Sequence, residues 1–314
     1  MTLAPIALFV YNRPVHTLRT VEALQKNSLA KESDLIIYSD APKAPRDTEA
    51  VRKVREYIRT ITGFKSVSIV YRNRNWGLAN SIIDGVTSVV NKHGRIIVLE
   101  DDLITSPHFL RFMNEALDMY EDEDQVMHIS GSTYPIEHME DETFFLRIPL
   151  CWGWGTWSRA WQHFRKSNDV MLRFDRKMRK HFSFNNSYHY WQQLELNKSG
   201  AIDTWFVYWY ATLFMRRGLA LFPRGTLVKN IGFDGSGVHC GSVYSGKDTE
   251  PANLAVRIGP IPLKESEEAV MRHERFFQKE YRPPSSIRTL IFRDMLRAIG
   301  KLARAIRSVR AEDK

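Results

Sequence analysis

The sequence contains few cysteines and no long apolar run. Two cysteines among 314 residues, Cys151 and Cys240, exclude a fold built on a framework of disulfides and fit a reducing compartment. Every apolar run is far shorter than the roughly 20 residues of a membrane-spanning helix. The run at residues 6–11 has no basic segment before it and no small-residue cleavage site after it. We therefore interpret it as a first strand rather than a signal peptide.

The sequence also lacks two glycine-rich phosphate-binding motifs. No G-x-G-x-x-G follows the first apolar run, which disfavours a nicotinamide-dependent dehydrogenase. The same position reads YNRPVH and offers no glycine-rich basic loop of the kind that sugar nucleotidyltransferases need. Both absences direct attention to other uses of an α/β sheet.

Positive charge is concentrated at the end of the chain. The net charge is +9, and residues 287–314 carry +5 of it. The body is therefore not a nucleic-acid-binding surface by charge alone. Residues 286–310 place apolar side chains at near-helical spacing between seven basic ones, which predicts a basic amphipathic helix. Two interpretations stay open: binding to an anionic membrane surface, or packing on this protein or a partner. We expect a cytoplasmic protein, peripheral on the inner face of the cytoplasmic membrane under the first interpretation.

Hydrophobic periodicity predicts an α/β fold. Strand-like runs at residues 6–11, 35–38, 67–71 and 96–99 alternate with helical patterns at 15–27, 47–60, 78–90 and from Ser106 to about residue 120. This alternation favours a mostly parallel, doubly wound sheet flanked by helices. Later residues predict strands at 126–129, 144–148 and 219–222, a glycine-rich turn running into a helix at 151–161, helices at 188–197 and 203–217, and a long loop at 230–242. No repeat or low-complexity linker intervenes, so residues 1–125 and 126–285 are interpreted as two halves of one domain, followed by a tail at 286–314.

Three adjacent carboxylates follow a strand that is predicted to be central in the sheet. Glu100, Asp101 and Asp102 stand at its carboxyl end, the edge where ligands bind in such sheets. One alternative is that an Asp caps the next helix, although Ser106 is the expected cap. Mg²⁺ or Mn²⁺ would relieve the repulsion, binding through one or two carboxylates and the oxygens of a diphosphate. The sequence therefore predicts a metal–diphosphate site.

The ordered segments FVYNRP, YSDAP, NWGLANSI and LEDDL resemble those of GT-A fold glycosyltransferases. The pattern is similar to that of N-acetylglucosaminyltransferase I and related bacterial polysaccharide glycosyltransferases. The resemblance implies a Rossmann-like GT-A sheet and a Mn²⁺ or Mg²⁺ cofactor. It also implies inverting transfer of a sugar from a UDP-linked donor to a glycan or lipid-linked glycan, as in lipopolysaccharide biosynthesis. Residues 1–125 would then bind the nucleotide sugar, and residues 126–285 would bind the acceptor and carry catalysis.

The resemblance also implies roles for individual residues. Asp102 would coordinate the metal as part of a variant DxD motif, with Asp101 by the ribose and diphosphate and Glu100 supporting the sugar or ribose. Arg13 would lie at the nucleotide, and Asp40 would read the uracil edge. The chemistry of the residues agrees, since Arg13 offers a fork of donors for phosphate, with a surface ion pair as the alternative. Asp40 can accept from a base N–H or serve as a turn residue before a proline.

The segment that ends at Asn80 starts a predicted helix. Helix N-termini present backbone N–H groups that favour anions, so Asn80 is placed at the nucleotide sugar. Simple capping of the helix is the alternative.

Asp203 in GAIDTWFVYW is the candidate catalytic base. Its apolar neighbours predict desolvation, which would raise its pKa and its basicity. Capping of the helix that follows is compatible with this role. The resemblance supports it, because the family carries its catalytic Asp in a similar aromatic segment. Asp234 and Glu195 are the alternative bases.

Two further segments are candidates for substrate contacts. In CWGWGTW, Trp152, Trp154 and Trp157 could stack on sugar rings or fill the core; Trp154 is placed at the donor. NIGFDGSGVH resembles the mobile loop that closes over donor in this fold, and its glycines suit a hinged lid. Asp234 and His239 would make extra contacts there; His239 is either a second metal ligand or structural.

Two rival functions remain from the sequence. One is a sugar nucleotidyltransferase, which uses a similar sheet. The other is a non-catalytic scaffold that binds nucleotide or glycan.

Overall fold

The computed structural model describes residues 2–137, 139–234, 250–253 and 255–280. Its main sheet has eight strands in the spatial order β3-β2-β1-β4-β8-β6-β9-β7, and β5 and β10 form a separate antiparallel pair. The strands are β1 (Ile6–Val10), β2 (Asp34–Ser39), β3 (Ser66–Tyr71), β4 (Arg95–Glu100), β5 (Leu103–Thr105), β6 (Val126–Ser130), β7 (Thr143–Leu146), β8 (Trp154–Trp157), β9 (Leu219–Pro223) and β10 (Val228–Asn230).

Helices connect the strands and cover both faces of the sheet. They are α1 (Pro14–Gln25), α2 (Thr48–Ile58), α3 (Leu78–His93), α4 (Phe109–Met119), α5 (Ser158–Trp161), α6 (Arg176–Phe182), α7 (Tyr190–Lys198), α8 (Phe206–Met215) and α9 (Glu267–Glu280). Short 3-10 turns occur at Ala30–Glu32, Pro45–Asp47, Asn168–Arg173 and Gly232–Asp234. No helix in the described ranges has the length and apolar composition to cross a membrane.

The first half of the chain forms the predicted parallel sheet. β1 pairs in parallel with β2 and β4, and β2 pairs in parallel with β3. Side chains alternate between two apolar cores, because successive residues of a strand point to opposite faces. Leu8 packs in the core that contains Val21 of α1 and Val54 of α2, whereas Phe9 packs in the core that contains Val86 of α3. The predicted α/β fold and the central position of β4 are confirmed.

The second half makes the sheet mixed. β8 is antiparallel to both β4 and β6, β9 is parallel to β6, and β7 is antiparallel to β9. β8 lies so close to β4 that a Cβ at Gly155 would stand 2.9 Å from the carbonyl oxygen of Ile96. The antiparallel β8 therefore joins the four strands of the first half to β6 and β9, and the carboxyl ends of these six strands share one edge.

Several elements differ from the predicted ones. Residues 154–157 form a strand rather than a turn entering a helix, because they pair on both sides with β4 and β6. The helix expected from Ser106 begins at Phe109. The Ser106 hydroxyl donates a hydrogen bond to the Ala252 carbonyl oxygen and accepts one from the His108 amide. β5, β10, α6 and α9 were not predicted. The amphipathic tail at 286–310 lies outside the described residues.

Candidate active site

The acidic triplet lies at the edge of the sheet where β1, β2 and β4 end. Glu100 is the last residue of β4 and is half-buried, whereas Asp101 and Asp102 form the turn into β5 and are 3% and 8% exposed. The turn is fixed to α1 by the Thr20 hydroxyl, which donates to the Asp101 carbonyl oxygen at 2.8 Å. The expected location of the triplet is thus confirmed, and the packing around it leaves Asp101 and Asp102 with little exposure to solvent.

Arg13 bridges two of the three carboxylates. It is the residue that precedes α1, and its side chain is 19% exposed. Its Nη2 binds Oδ1 of Asp101 and lies 2.9 Å from Oδ2 of Asp102. The Tyr11 amide donates to the other oxygen of Asp101 at 3.3 Å. Arg13 is therefore held at the triplet from the first loop by ion pairs, and its predicted contact with the nucleotide stays a prediction.

One guanidinium does not balance three carboxylates. Burial raises the pKa of Glu100 to about 8, and the charges of Asp102 and Asp101 add to the shift. Burial also raises the pKa of Asp101 to about 6, against the opposing charge of Arg13. Burial disfavours the charged form of Arg13, but the charges of Asp101 and Asp102 outweigh it, so the pKa of Arg13 rises. The site carries an excess of negative charge that a cation would relieve.

The donor set suits a hard divalent ion. Carboxylate oxygens are the ligands that Mg²⁺ and Mn²⁺ prefer, and Mg²⁺ commonly takes only one or two of them alongside substrate phosphates. Within the described residues, no group of three or more His, Cys, Asp or Glu side chains is placed to hold a metal. The described residues therefore fit an ion that takes one or two of these carboxylates together with other oxygen ligands.

A second loop lies directly on the triplet. β10 pairs with β5, and the Ile231 amide donates to the Asp102 carbonyl oxygen at 2.8 Å. Gly232 follows, and a Cβ on it would collide with Oδ2 of Asp102 and lie 3.1 Å from Nη1 of Arg13. Oδ2 of Asp234 lies 3.1 Å from Nε2 of His16 on α1. Asp234 thus lies beside α1 in the loop that contacts Asp102, its expected substrate contacts stay a prediction, and His239 lies outside the described residues.

Because Gly232 has no room for a side chain, Gly232→Ala should displace the Asp102 carboxylate. Overpacking of this kind costs about 1–3 kcal/mol, so we expect the metal-dependent binding of UDP that the sequence resemblance implies to weaken roughly tenfold. Gly259→Ala is the matched control, since nothing lies within 4 Å of a Cβ there. Isothermal titration calorimetry with UDP and Mn²⁺ measures both. Equal affinities for the two variants would show that the loop does not position Asp102.

Asp40 holds two loops together. Its carboxylate accepts from the amides of Trp76 and Gly77, each at 2.9 Å, and from Nδ2 of Asn75 at 3.1 Å. The amide of Ala41 also donates to it. These donors occupy the acceptor positions of a carboxylate, so the geometry corresponds to the turn interpretation. Reading of the uracil edge by Asp40 stays a prediction.

Asn80 is exposed on the first turn of α3. Its Nδ2 donates to the Trp76 carbonyl oxygen at 2.9 Å, which makes it part of the helix start. Its contact with a nucleotide sugar also stays a prediction.

Trp154 lies in the core, whereas the sequence predicted that it contacts the donor. It is fully buried and stacks on Trp205 and His128, with ring centroids 5.0 and 5.3 Å away. A buried ring in the core cannot present its face to a sugar. Trp152 is half-buried instead and packs edge-on against Phe233 of the second loop at 5.7 Å. Of the two, Trp152 is the one beside the site.

Asp203 is exposed rather than desolvated. Its side chain is 68% exposed and forms an ion pair with Lys166. It does not cap α8, whose N-cap is Trp205 without a side-chain hydrogen bond. The expected desolvation is therefore not found. The alternative base Glu195 lies on α7, where it accepts a hydrogen bond from Trp191 Nε1 at 2.8 Å.

The packing of α8 places its N-terminus, two residues after Asp203, near the edge of the sheet that carries the triplet. Trp205 stacks on Trp154, the first residue of β8, which runs antiparallel to β4 and so begins at the edge where β4 ends. At the other end of α8, the Leu213 carbonyl oxygen accepts a hydrogen bond from the Gly218 amide. Gly218 directly precedes β9, which begins at the opposite edge of the sheet. The N-terminus of α8 thus points towards the edge that carries the triplet.

Sequence reasoning missed three residues of the site. Gly232 and His16 are recognisable only from contacts between loops that are far apart in the chain. Cys151 lies where the charges of Glu100 and Asp102 act on it, and burial together with those charges raises the pKa of its thiol. The sequence offers one signal for the contact with Asp102, which is Gly232 in NIGFDG, and the sequence alone favours a hinge there.

Comparisons with known proteins give no family. No protein-family model matches the chain, and a search of curated proteins finds no match either. Among solved structures, it is similar to a mannosyltransferase from Pyrobaculum calidifontis in complex with GDP-Man and Mn²⁺, at 11% identity and a TM-score of 0.33, over 55% of this chain and 48% of that one. It is also similar to S. aureus TarS (12%, 0.30, over 45% and 24%) and to a UDP-glucose pyrophosphorylase complexed with UDP-glucose (11%, 0.31, over 52% and 79%). The aligned region spans about half of the mannosyltransferase.

Proposed function

We propose that the protein is a metal-dependent, inverting glycosyltransferase that uses a nucleotide diphosphate sugar, with UDP as the nucleotide. The acceptor is a hydroxyl of a glycan or lipid-linked glycan. One observation carries the proposal: an acidic triplet at the carboxyl edge of the sheet, with Asp101 and Asp102 buried, bridged by Arg13 and contacted by the loop at Gly232. A hexosyl donor, N-acetylglucosaminyl among them, is the subtype that the sequence resemblance adds.

The triplet and Arg13 would divide the work of binding the diphosphate. Asp102 would hold Mn²⁺ or Mg²⁺, which when bound stabilises charge on the leaving diphosphate. Arg13 would direct its guanidinium to the phosphate oxygens, because charge-assisted bonds from a planar fork suit phosphate. Asp101 keeps Arg13 in place through their ion pair. Glu100 would lie beside the sugar or ribose, together with Asp101.

Asp203 would accept the proton of the attacking hydroxyl. A general base must be within hydrogen-bond reach of its substrate, and the Asp203 carboxylate, two residues before the N-cap of α8, is exposed enough for an acceptor hydroxyl to approach it. Attack on the face opposite the diphosphate would invert the anomeric centre. The ammonium group of Lys166 must then yield its contact, or share it, when acceptor binds.

A sugar nucleotidyltransferase is the rival enzyme, and the first loop disfavours it. α1 begins at Pro14, and Arg13 is its N-cap, so the chain enters the helix within a few residues of β1. No glycine-rich loop remains there to surround a triphosphate. A non-catalytic scaffold would not need a base at the edge of the sheet.

The proposal is tested by calorimetry of the full chain against UDP, GDP, CDP and their sugars, with and without Mn²⁺. We expect UDP and at least one UDP-sugar to bind, and Mn²⁺ to strengthen that binding at least tenfold, since the ion cancels repulsion between diphosphate and triplet. Binding that is indifferent to Mn²⁺ would contradict the metal–diphosphate site. Tight binding of a nucleoside triphosphate with release of pyrophosphate would favour the rival enzyme.

A further inference from the structure

A basic surface lies apart from the triplet, at residues 165–180. We call the basic surface the set of exposed side chains Arg165, Lys166, Leu172, Arg173, Arg176, Lys177, Arg179 and Lys180. Residues 165–181 carry seven basic and two acidic side chains, net +5, while the first 286 residues together carry only +4. The positive excess of the body is therefore concentrated in this segment.

Four cations of the basic surface have no acidic partner among the described residues. In the described part of the chain, Arg173, Arg176, Lys177 and Lys180 form no ion pair, whereas Lys166 is paired with Asp203. The nearby acids are occupied elsewhere: Asp175 caps α6 by accepting the Met178 amide at 2.7 Å, and Asp169 binds Ser167. Uncompensated like charges on one short segment repel, and a negatively charged surface would remove that cost.

Leu172 directly precedes Arg173, the first of these four cations in the chain, and is 85% exposed. Its direction is fixed by its neighbours, because Met171 and Phe174 on either side are buried. Phe174 stacks on Phe214 and meets Phe182 edge-on, with centroids 5.4 and 5.1 Å away. The packed core thus holds an apolar side chain outward among basic ones. α6 continues the surface, since Arg176, Lys177 and Lys180 share its outer face.

We propose that the basic surface docks on an anionic phospholipid membrane, with its cations at the headgroups and Leu172 inserted at the acyl boundary. Basic side chains next to an anionic leaflet attract it strongly, and an exposed apolar side chain between them adds insertion. An acidic polymer such as nucleic acid or polysaccharide would use the cations but would leave Leu172 in water. The exposed leucine therefore favours the lipid surface. Docking does not depend on the proposed function.

A membrane bound to the basic surface would lie next to the proposed base, where the acceptor would bind. Lys166, at one end of the basic surface, contacts Asp203, the proposed base. A lipid-linked acceptor in the same bilayer would then reach the catalytic edge without leaving the membrane. This consequence, unlike the docking itself, rests on the proposed function.

The test is co-sedimentation of the full chain with vesicles of phosphatidylcholine, alone or mixed with phosphatidylglycerol. The variant carries Arg173→Gln, Arg176→Gln, Lys177→Gln and Lys180→Gln. We expect it to bind anionic vesicles at least tenfold more weakly than the wild type, because each basic residue near such a surface contributes about a fivefold change. The matched control changes four exposed, unpaired lysines elsewhere to Gln: Lys26, Lys31, Lys92 and Lys264. It has the same net charge and should bind like the wild type. All proteins keep residues 286–314, so any binding by the tail is constant.

Leu172→Ser is the second variant, and it leaves every charge in place. We expect about tenfold weaker binding to anionic vesicles, from the lost burial of one leucine, while Met119→Ser has no effect. Equal binding by the quadruple variant and its control would overturn the proposal. Equal binding of the wild type to neutral and anionic vesicles would also overturn it. So would a quadruple variant that binds heparin or RNA more weakly than the wild type but binds anionic vesicles equally well. If a variant keeps the thermal unfolding of the wild type, misfolding does not explain its weaker binding to vesicles. If it also keeps the affinity for UDP, the loss of vesicle binding is separate from any failure of the proposed function.

Discussion

Asp102→Ala is expected to abolish the effect of Mn²⁺ on UDP binding. In the wild type, Asp102 is 8% exposed, shares Arg13 with Asp101 and lies under Gly232. Its removal takes away the carboxylate oxygen that we assign to the metal, and loss of even an indirect supporter of a metal commonly costs 10–100-fold in affinity. The ratio of UDP affinities with and without Mn²⁺, measured by calorimetry, should therefore fall by at least about tenfold. UDP alone should still bind, because Arg13 remains on Asp101.

Asp118→Ala is the control for this experiment. Asp118 pairs with Arg95 at the opposite end of β4, so its loss removes an ion pair from the far edge of the sheet. It should leave the response to Mn²⁺ intact. A wild-type response in Asp102→Ala would exclude Asp102 as the metal ligand, whatever happens to the overall affinity.

Asp203→Asn should stop transfer while donor binding is kept. The isosteric amide cannot take a proton, and a positioned general base commonly contributes about 10²–10⁴-fold to the rate. The ion pair with Lys166 is lost as well, but it is exposed and contributes little to stability. We expect kcat for sugar transfer, once a donor is known, to drop by about 10²-fold or more, with the affinity for UDP and Mn²⁺ unchanged.

Glu195→Gln provides the comparison, because Glu195 is the alternative base on α7. Its carboxylate already accepts the indole N–H of Trp191, a bond that the amide oxygen of Gln can keep. Its transfer rate should stay near that of the wild type. Full transfer by Asp203→Asn would show that the base is another group, and the nucleotide-sugar site would stand without it.

The parallel half of the fold follows from sequence because its signals are local. Val51, Val54 and Ile58 recur at helical spacing, and all three are buried on α2. The apolar run before Glu100 has no polar face, and β4 is indeed paired on both sides. Periodicity over one element was enough in each case.

The second half escaped prediction where long-range pairing decides the structure. The stretch at residues 154–157 is too short and too glycine-rich to show a strand period, and only pairing with β4 and β6 makes it a strand. The site divides in the same way. The edge that carries Glu100, Asp101 and Asp102 could be inferred from strand order. The burial of Trp154 and the exposure of Asp203 depend on residues distant in the chain, among them Lys166.

The order of strands in the sheet sets a problem for synthesis. β3, β2, β1 and β4 leave the ribosome first, but the partner on the other side of β4 is β8, which follows only at Trp154. Until then the backbone of β4 is an open edge whose four central side chains are apolar, the kind of surface that templates wrong pairing in nascent chains. The strand that closes it is narrow at Gly155, where only a hydrogen atom fits against Ile96. A substitution at this glycine would thus act first on the yield of folded protein, before any effect on the catalytic edge.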